Sequence, residues 1–446
     1  MLRSHSTLIF SRVDIFMSTQ SFSPGAPVSQ VLSLRSRWWQ LLCGLICAMV
    51  ASNPQYIWTL LTHPLMERLG VSLPSLQVTF SILIVCQTFL SPLEGYLIER
   101  FGPRWLLAAG GAITGLSWVL TSQAQSLTSI YLCYGALGGV GVGIVVVGTI
   151  GLMARWFPDH RGLAVGVVMA GFGMGAMLTT FPISISLNKY GYQHTLVVYG
   201  LILGVVGIVA ALGMRLPPPG YMEDWQPPAA TAAVPNTRTG SMLRTPVFWL
   251  MFVMMSMMAT SGLMVTSQMA VFTRDFGMTG VSVFGLAALP LALTIDRVAN
   301  GVTRPMFGWV SDMIGREHTM LIAFGMEAIA MTLWLTLRHD PLLFVLLSGV
   351  VFLGWGEIFS LFPATLTDTF GGKHAVVNYA CLSYAQGIGS ILGGPVAALL
   401  HQHTGGWNSV FGTAIALDSC TAVLAIIALK PMRRAWFTRA GAVSLR

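Results

Sequence analysis

Twelve apolar runs, each about the 20 residues that a helix needs to cross a bilayer, constrain this chain more than any other feature. They fall in two groups of six, at about 38–61, 75–97, 105–122, 128–152, 162–185 and 194–214, then 246–270, 280–307, 317–337, 341–366, 376–401 and 407–430. Between the groups, RLPPPGYMEDWQPPAATAAVPNTRTGSMLR carries six prolines and no apolar run, and reads as a solvated linker. Only 9% of the residues are charged and mean hydropathy is +0.72, where soluble domains carry about 25% charged residues. The sequence therefore predicts an all-α membrane protein, with twelve transmembrane helices in two six-helix halves that repeat one another. The expected divisions are a tail at 1–37, a first half at 38–214, a linker at 215–245, a second half at 246–430 and a tail at 431–446.

A net charge of +8 would suit nucleic acid, but the basic residues follow the membrane topology instead. With both termini inside, 18 of the 24 lysines and arginines fall in inner segments; only Arg68, Lys189, Arg274 and Arg338 fall outside, and Arg297 and Arg304 lie within a span. Cytoplasmic loops are enriched in such residues, so both termini are expected in the cytoplasm. Residues 1–36 lack a signal-peptide core and read as a disordered tail, and Met17 opens a more typical leader. The six cysteines lie in apolar stretches without a CxxC pair, which argues against a disulfide framework or a zinc site. The lack of an Asn-x-Ser/Thr sequon fits a bacterial inner membrane.

The eighth run breaks the apolar rule, for LAALPLALTIDRVANGVTRPMFGWVSDMIGR (286–316) holds Asp296, Arg297 and Arg304. Each charge at the bilayer centre costs about 2.5–3.5 kcal/mol on insertion scales and needs a partner or water. Helical geometry puts Arg297, Asn300 and Arg304 within roughly 60° of one another, with Asp296 at the border. Two readings fit: a ligand-binding face, or Arg304 reaching the cytoplasmic end while Asp296 and Arg297 meet charges on neighbouring helices.

The loop after helix 2, GYLIERFGPR, is repeated after helix 8 as GWVSDMIGRE, with Gly95, Glu99 and Gly102 matching Gly308, Asp312 and Gly315 at one constant offset. Glycines there allow close helix approach, and the acids beside Arg100, Arg104 or Arg316 are placed to pair across the cytoplasmic seam or to meet a helix end, as a gate would require. Two copies at equivalent places make two related halves. The pattern resembles the major facilitator superfamily over about residues 38–430, and that resemblance implies solute transport by rocking of the halves about a midplane site.

A finer resemblance rests on NPQYIWTLLTHPL, ARWFPDHRGLAVG, RTPVFW, NGVTRPMFGWVSDMIGR, LFPATLTDTFG and NYACLSYAQGIGS taken together. They look like the branch of oxalate:formate antiporters and monocarboxylate porters, and the resemblance implies that Arg304 anchors a substrate carboxylate. Oxalate transporters of this branch place a lysine in helix 11 where Gln386 stands here. One guanidinium holds one carboxylate in a bidentate manner, whereas an amide only hydrogen-bonds, so a monocarboxylate is favoured over oxalate. Arg297, roughly 10 Å from Arg304 along the same face, supplies a second charge if Asp296 does not neutralise it.

The resemblance implies that helices 1 and 10 line the cavity, which makes Tyr56 and Trp355 its favoured aromatic walls and leaves Trp58 and Phe359 equally suited to packing or anchoring. Asp296 and Glu357 are the candidate proton carriers, since burial disfavours a charged carboxyl. Glu94 is assigned to the cytoplasmic gate, and Glu327 and Asp418 to structural pairing. The glycines of LGGVGVGI and AGFGMGAM follow no strand and read as close helix contacts rather than phosphate loops, and the 25 methionines read as adaptable packing rather than copper ligands. His401 and His403 need no metal. No catalytic constellation appears, so neither enzyme activity nor a cofactor is expected. The expectation is a transporter of a small organic monoanion, lactate-like or pyruvate-like, with Arg304 as anchor, Asn300 and Gln386 as polar contacts, protons as candidate co-substrate, and a monomer as the working unit. Rival readings are a carboxylate exchanger using Arg297, a carrier for a larger or heterocyclic solute, and a membrane sensor that binds without translocating.

Overall fold

The structure, a computed structural model, describes residues 28–219, 221–222, 236–372 and 374–439. The chain divides into two units, residues 1–39 and 40–446. In the first, the described residues 28–39 are helical, so the expected disordered tail already holds the beginning of helix Val28–Ala51.

By length and composition, eight segments of the described residues are able to cross a membrane, or nine when Leu73–Phe89 and Ser91–Ile98, which meet at 48°, count as one. One of the eight, Arg161–Leu212, contains Gly191 at φ 77° and ψ 171°, a conformation foreign to a helix interior, so it comprises two rods. Among the described residues, Ala288–Ile314 and residues 375–404 bring the long rods to twelve, in the order that the apolar runs predict. These are α1 (Ser36–Leu69), α2 (Leu73–Phe89 with Ser91–Phe101), α3 (Pro103–Ser122), α4 (Leu127–Trp156), α5 (161–190) and α6 (192–212). The second group is α7 (Pro246–Asp275), α8 (Ala288–Ile314), α9 (Arg316–Thr336), α10 (Pro341–Trp355 with Ile358–Phe370), α11 (375–404) and α12 (Asn408–Arg439).

Helix α8 begins eight residues later than its apolar run. Residues 282–287 form a hairpin of β1 (Ser282–Val283) and β2 (Leu286–Ala287), paired Ser282 to Ala287 and Val283 to Leu286. The two-residue turn between them holds Phe284 at φ 55° and Gly285 at φ 78°. That left-handed pair matches the twist of a tight hairpin and cannot belong to a helix, which hydrophobicity alone does not reveal.

Burial separates centre from rim. In α1 and α7, 78% and 72% of the apolar window is buried, against 39% in α12. Leu201, Val205 and Val209 on α6, Ile322 and Ile329 on α9 and Ile427 on α12 are exposed apolar residues, as a lipid-facing surface requires. Where rods meet closely, glycine makes it possible. A Cβ at Gly115 would stand 2.5 Å from the Gly200 carbonyl oxygen and 2.7 Å from Gly204 Cα, so α3 and α6 touch backbone to backbone. The glycines of α4 act in the same way, with Gly139 against Leu83 of α2 and Gly141 against Thr114 of α3.

The repeat seen in the sequence is also a repeat of backbone. Gly102 closes α2 at φ 83°, ψ 149° with its N–H on the Ile98 carbonyl, and Gly315 closes α8 at φ 90°, ψ 152° with its N–H on the Ser311 carbonyl, both at 3.0 Å. The described ends of the linker are docked. Tyr221 donates to the Trp156 carbonyl at 3.0 Å, and Thr237 N–H donates to the Phe370 carbonyl at 2.8 Å.

Candidate anion site between the two halves

Helix α8 is inside out relative to a helix of a soluble protein. Asp296, Arg297, Asn300, Thr303 and Arg304 are all 2% exposed or less, while Val298 and Val302 on the opposite side are 39% and 46% exposed. Lipid outside and polar partners inside reverse the usual amphipathic sense. Pro305 has no N–H to offer the Gly301 carbonyl, and Pro363 has none for Phe359, so the ladders of α8 and α10 are open beside the arginine. Helix α10 is also interrupted at Gly356 and Glu357, between Trp355 and Ile358.

Arg304 donates through Nη1 to the Met169 carbonyl of α5, and through Nη2 to Asn300 Oδ1 at 3.2 Å. Asn300 in turn donates through Nδ2 to the Tyr56 hydroxyl of α1 at 3.0 Å. A single chain of hydrogen bonds thus runs from α8 to α5 and α1, from the second half to the first. Arg304 is stacked over Phe359 with its guanidinium carbon 4.5 Å from the ring centroid, and its Nε is buried without a partner. Among the described residues no carboxylate lies within ion-pair distance of Arg304.

Arg297 is held between the rings of Tyr56 at 4.1 Å and Phe352 at 4.3 Å, and its Nε and Nη1 are buried without partners. Stacking of this kind is worth about 2 kcal/mol or more when desolvated, and it fixes the group without using its N–H donors. The Tyr56 hydroxyl is within electrostatic reach of both guanidinium groups, and Tyr379 of α11 is within reach of Arg304. Asp296 lies beside Arg297 and Ser348, with neither carboxylate oxygen in a hydrogen bond. Helix α5 approaches α8 closely because residue 173 is glycine: a Cβ there would meet the Asn300 carbonyl oxygen at 3.1 Å and Arg304 Cζ at 3.3 Å.

The structure brings together Tyr56, Arg297, Asn300 and Arg304. Gln386 is 5% exposed and its Nε2 has no hydrogen-bond partner, so no bond ties it to this group. Trp355 faces α7 instead, donating to the Met258 carbonyl at 3.0 Å and packing on Gly262. The helix 10 ring on the arginine is Phe359, one turn further on. Glu357 is fully buried with both oxygens unpartnered. Met169 and Phe352 were not singled out from the sequence, since neither a backbone carbonyl that accepts from an arginine nor an apolar ring beside a cation carries a signature in sequence spacing.

At the repeat motifs the expectation of close helix approach does not hold. A Cβ at Gly308 would meet nothing within 4 Å, and one at Gly95 only Val147 at 3.9 Å; the glycines with a strict role are Gly102 and Gly315, through their positive φ. Arg316 pairs with Asp312 at 2.8 Å and with Asp368 of α10 at 2.9 Å, within the second half and not across the seam. Arg100 donates to the Tyr96 hydroxyl at 3.3 Å, and Arg104 stacks on Trp105. The side chain of Glu99 lies outside the described residues.

At the other end of the seam, Ala270 N–H of α7 donates to Thr59 Oγ1 of α1 at 2.8 Å, Gln77 of α2 donates to the Ser267 carbonyl at 3.0 Å, and Ser81 donates to the Ser390 carbonyl of α11 at 2.9 Å. Ala270 also lines a cavity of about 600 Å³ with His63, Asn188, Tyr192 and Arg274.

The geometry is that of two buried arginines between two related bundles, and the bundles have counterparts among known proteins. The family model described as Major Facilitator Superfamily matches residues 40–300 and 287–440. An oxalate:formate antiporter of Oxalobacter formigenes is 33% identical over 379 residues, covering 85% of this chain and 88% of that protein. Monocarboxylate transporter 13 of Bos taurus is 26% identical, covering 75% of each. The crystal structure of the nucleoside transporter NupG (D323A mutant) shares the fold, with a TM-score of 0.65 at 13% identity over 89% of this chain and 99% of that one. The chain is accordingly a multi-pass membrane transporter that belongs to the Major Facilitator Superfamily.

Proposed function

We propose that this chain carries a small organic monoanion, lactate-like or pyruvate-like, together with one proton, by alternating access about the Arg304 site. The observation that carries the reading is Arg304 itself: a buried guanidinium, with no carboxylate within ion-pair distance among the described residues, hydrogen-bonded to both halves. A buried charge without a counter-charge is costly, and an incoming carboxylate supplies one. With Asp296 ionised beside Arg297 and Glu357 holding a proton, one net positive charge is left for one negative charge on the solute. A bound anion takes up the free Nε donor of Arg304 and competes for the bonds to Met169 and Asn300, which links occupancy to the seam between halves.

Co-transport of one proton with one monoanion is electroneutral, so it responds to the pH gradient and not to membrane potential. The candidate proton carriers are Asp296 and Glu357, both buried with unpartnered carboxylates. We place the repeat motifs and both termini on the cytoplasmic side of a bacterial inner membrane, on the distribution of lysine and arginine, with the monomer as the transporting unit. In that orientation Gly95, Arg100, Gly102, Arg104, Gly308, Asp312, Gly315 and Arg316 form the cytoplasmic gate region, with Glu99 as its remaining acid.

One observation favours a second reading. Arg297 keeps two buried donors free on the same face, which suits a dicarboxylate spanning both arginines and exchanged for a monocarboxylate. Uptake of labelled lactate, pyruvate, formate and oxalate into proteoliposomes, with and without an imposed pH gradient, separates the two. Symport predicts monocarboxylate uptake that external acid stimulates and Arg304→Ala abolishes. Uptake only into preloaded vesicles, with oxalate binding removed by Arg297→Ala, establishes the exchanger and refutes symport.

A further inference from the structure

A second buried acidic group lies apart from the arginines. Ser261 of α7 has its hydroxyl oxygen 3.1 Å from Glu327 Oε1 of α9 and 2.9 Å from Asp418 Oδ2 of α12. All three residues are fully buried, although α9 and α12 show lipid-facing residues elsewhere. A serine hydroxyl has one hydrogen and so donates to one carboxyl only. The other carboxyl must then donate to the serine oxygen, which it does only when it holds a proton. Two ionised carboxylates on one hydroxyl, without a cation, would face each other's charge in a medium that screens little.

Among the described residues no cation lies within ion-pair distance of Glu327 or Asp418. Glu357, at the break of α10, is within electrostatic reach of both acids and has neither oxygen hydrogen-bonded. On α8, Arg304 is within electrostatic reach of Glu357, and Asp296 and Arg297 lie beside one another. The remaining oxygens, Glu327 Oε2 and Asp418 Oδ1, are buried without partners.

Backbone packing links this group to the anion site. Gly354 is pressed against Glu327, where a Cβ would come 2.6 Å from Glu327 Cβ, and Gly356 is pressed against α8, where a Cβ would come 2.6 Å from Asn300 Oδ1. The stretch 354–357, which includes the break of α10 at Gly356 and Glu357, therefore packs on Glu327 on one side and on Asn300 on the other, with Glu357 at its end.

We propose that Glu327 and Asp418, bridged by Ser261, form a proton-binding site separate from the arginine site and coupled to it through the break in α10. The coupling part rests on the symport reading. On this proposal the pair, rather than Asp296 or Glu357, holds the co-transported proton, and stores it away from the solute path. Its loss leaves two like charges on Ser261, and relief of that repulsion moves α9 and α12 against the 354–357 stretch that contacts Asn300.

Two measurements on the purified full-length protein test the site and the coupling separately. In lipid nanodiscs, the infrared carbonyl band of a protonated carboxyl that responds to a pH jump is expected in the natural protein and is lost in the Glu327→Gln/Asp418→Asn double variant. Ser261→Ala keeps both acids and is expected to shift that band. A band unmoved by either change overturns the site, and Ser261→Ala decides the matter if the double variant does not fold. In proteoliposomes, a gradient of one pH unit sustains about tenfold accumulation at one proton per solute. The double variant is expected to fall to about onefold while still exchanging labelled for unlabelled solute at equal pH. Accumulation unchanged from the natural protein, or driven by a sodium gradient instead, overturns the coupling. If the natural protein itself shows no pH-driven accumulation, the symport reading fails, and the infrared result stands on its own.

Discussion

Arg304 and Arg297 sit on one helix face and are held by different means, so their variants should behave differently. Arg304 is held by a directional fork. Arg304→Lys keeps the charge but loses the fork, and charged hydrogen bonds are worth about 1.5–3 kcal/mol, so solute affinity should fall roughly ten- to a hundredfold in binding assays. Tyr56→Phe keeps the ring that Arg297 stacks on and removes only the hydroxyl that Asn300 donates to. The stranded amide costs about 1–3 kcal/mol. The expected outcome is weaker solute binding with little change in the exposure of Arg297, the first read by isotherms and the second by reaction with phenylglyoxal. The arginine and asparagine were legible in the sequence because charges in a membrane span are rare. Phe352 and Met169 were not, and Phe359 stood only as an alternate to Trp355, because a ring or a carbonyl gains meaning only from what stands over it.

Among the helices, the repeated glycines divide into two kinds. Gly102 and Gly315 hold backbone angles that L side chains avoid, whereas Gly95 and Gly308 have room around them. Gly315→Ala should cost about 1–3 kcal/mol and lower the midpoint of thermal unfolding. Gly308→Ala should leave that midpoint unchanged. If Gly308→Ala nonetheless slows transport, the close approach foreseen from the sequence belongs to another conformation of the cycle. The helix 8 hairpin teaches a similar lesson. Apolar continuity across 280–287 hides the Phe284–Gly285 turn, because hydrophobicity reports burial and not the sign of φ.

At the level of the whole molecule, the two halves are tied both around Arg304 and at the end remote from the repeat motifs. Thr59, Gln77 and Ser81 bond to backbone of the opposite half there, so each bond is lost by changing one side chain of the first half. Thr59→Val removes the hydroxyl that receives the Ala270 N–H and leaves that N–H buried. The seam beside the 600 Å³ cavity should then open more often. In a variant with the native cysteines replaced, Ala270→Cys should react faster with a membrane-impermeant maleimide when combined with Thr59→Val. Equal rates would show that the remaining bonds suffice to hold that end.

The sequence alone determined that the chain spans a membrane as two related sets of helices, because lipid permits few charges and the repeat motif recurs at one fixed offset. It also singled out α8, since polar residues on a spanning helix must face protein. Only the tertiary structure decided the partners of those polar residues. It set Arg304 between α5 and α1, turned Trp355 away toward α7 and kept Arg316 within its own half. It also gathered Ser261, Glu327 and Asp418, which are far apart in the chain, onto one hydroxyl. The physical reason is the same in each case: burial follows from local composition, but a hydrogen bond or an ion pair depends on which rods lie side by side, and backbone contacts at glycine fix that arrangement.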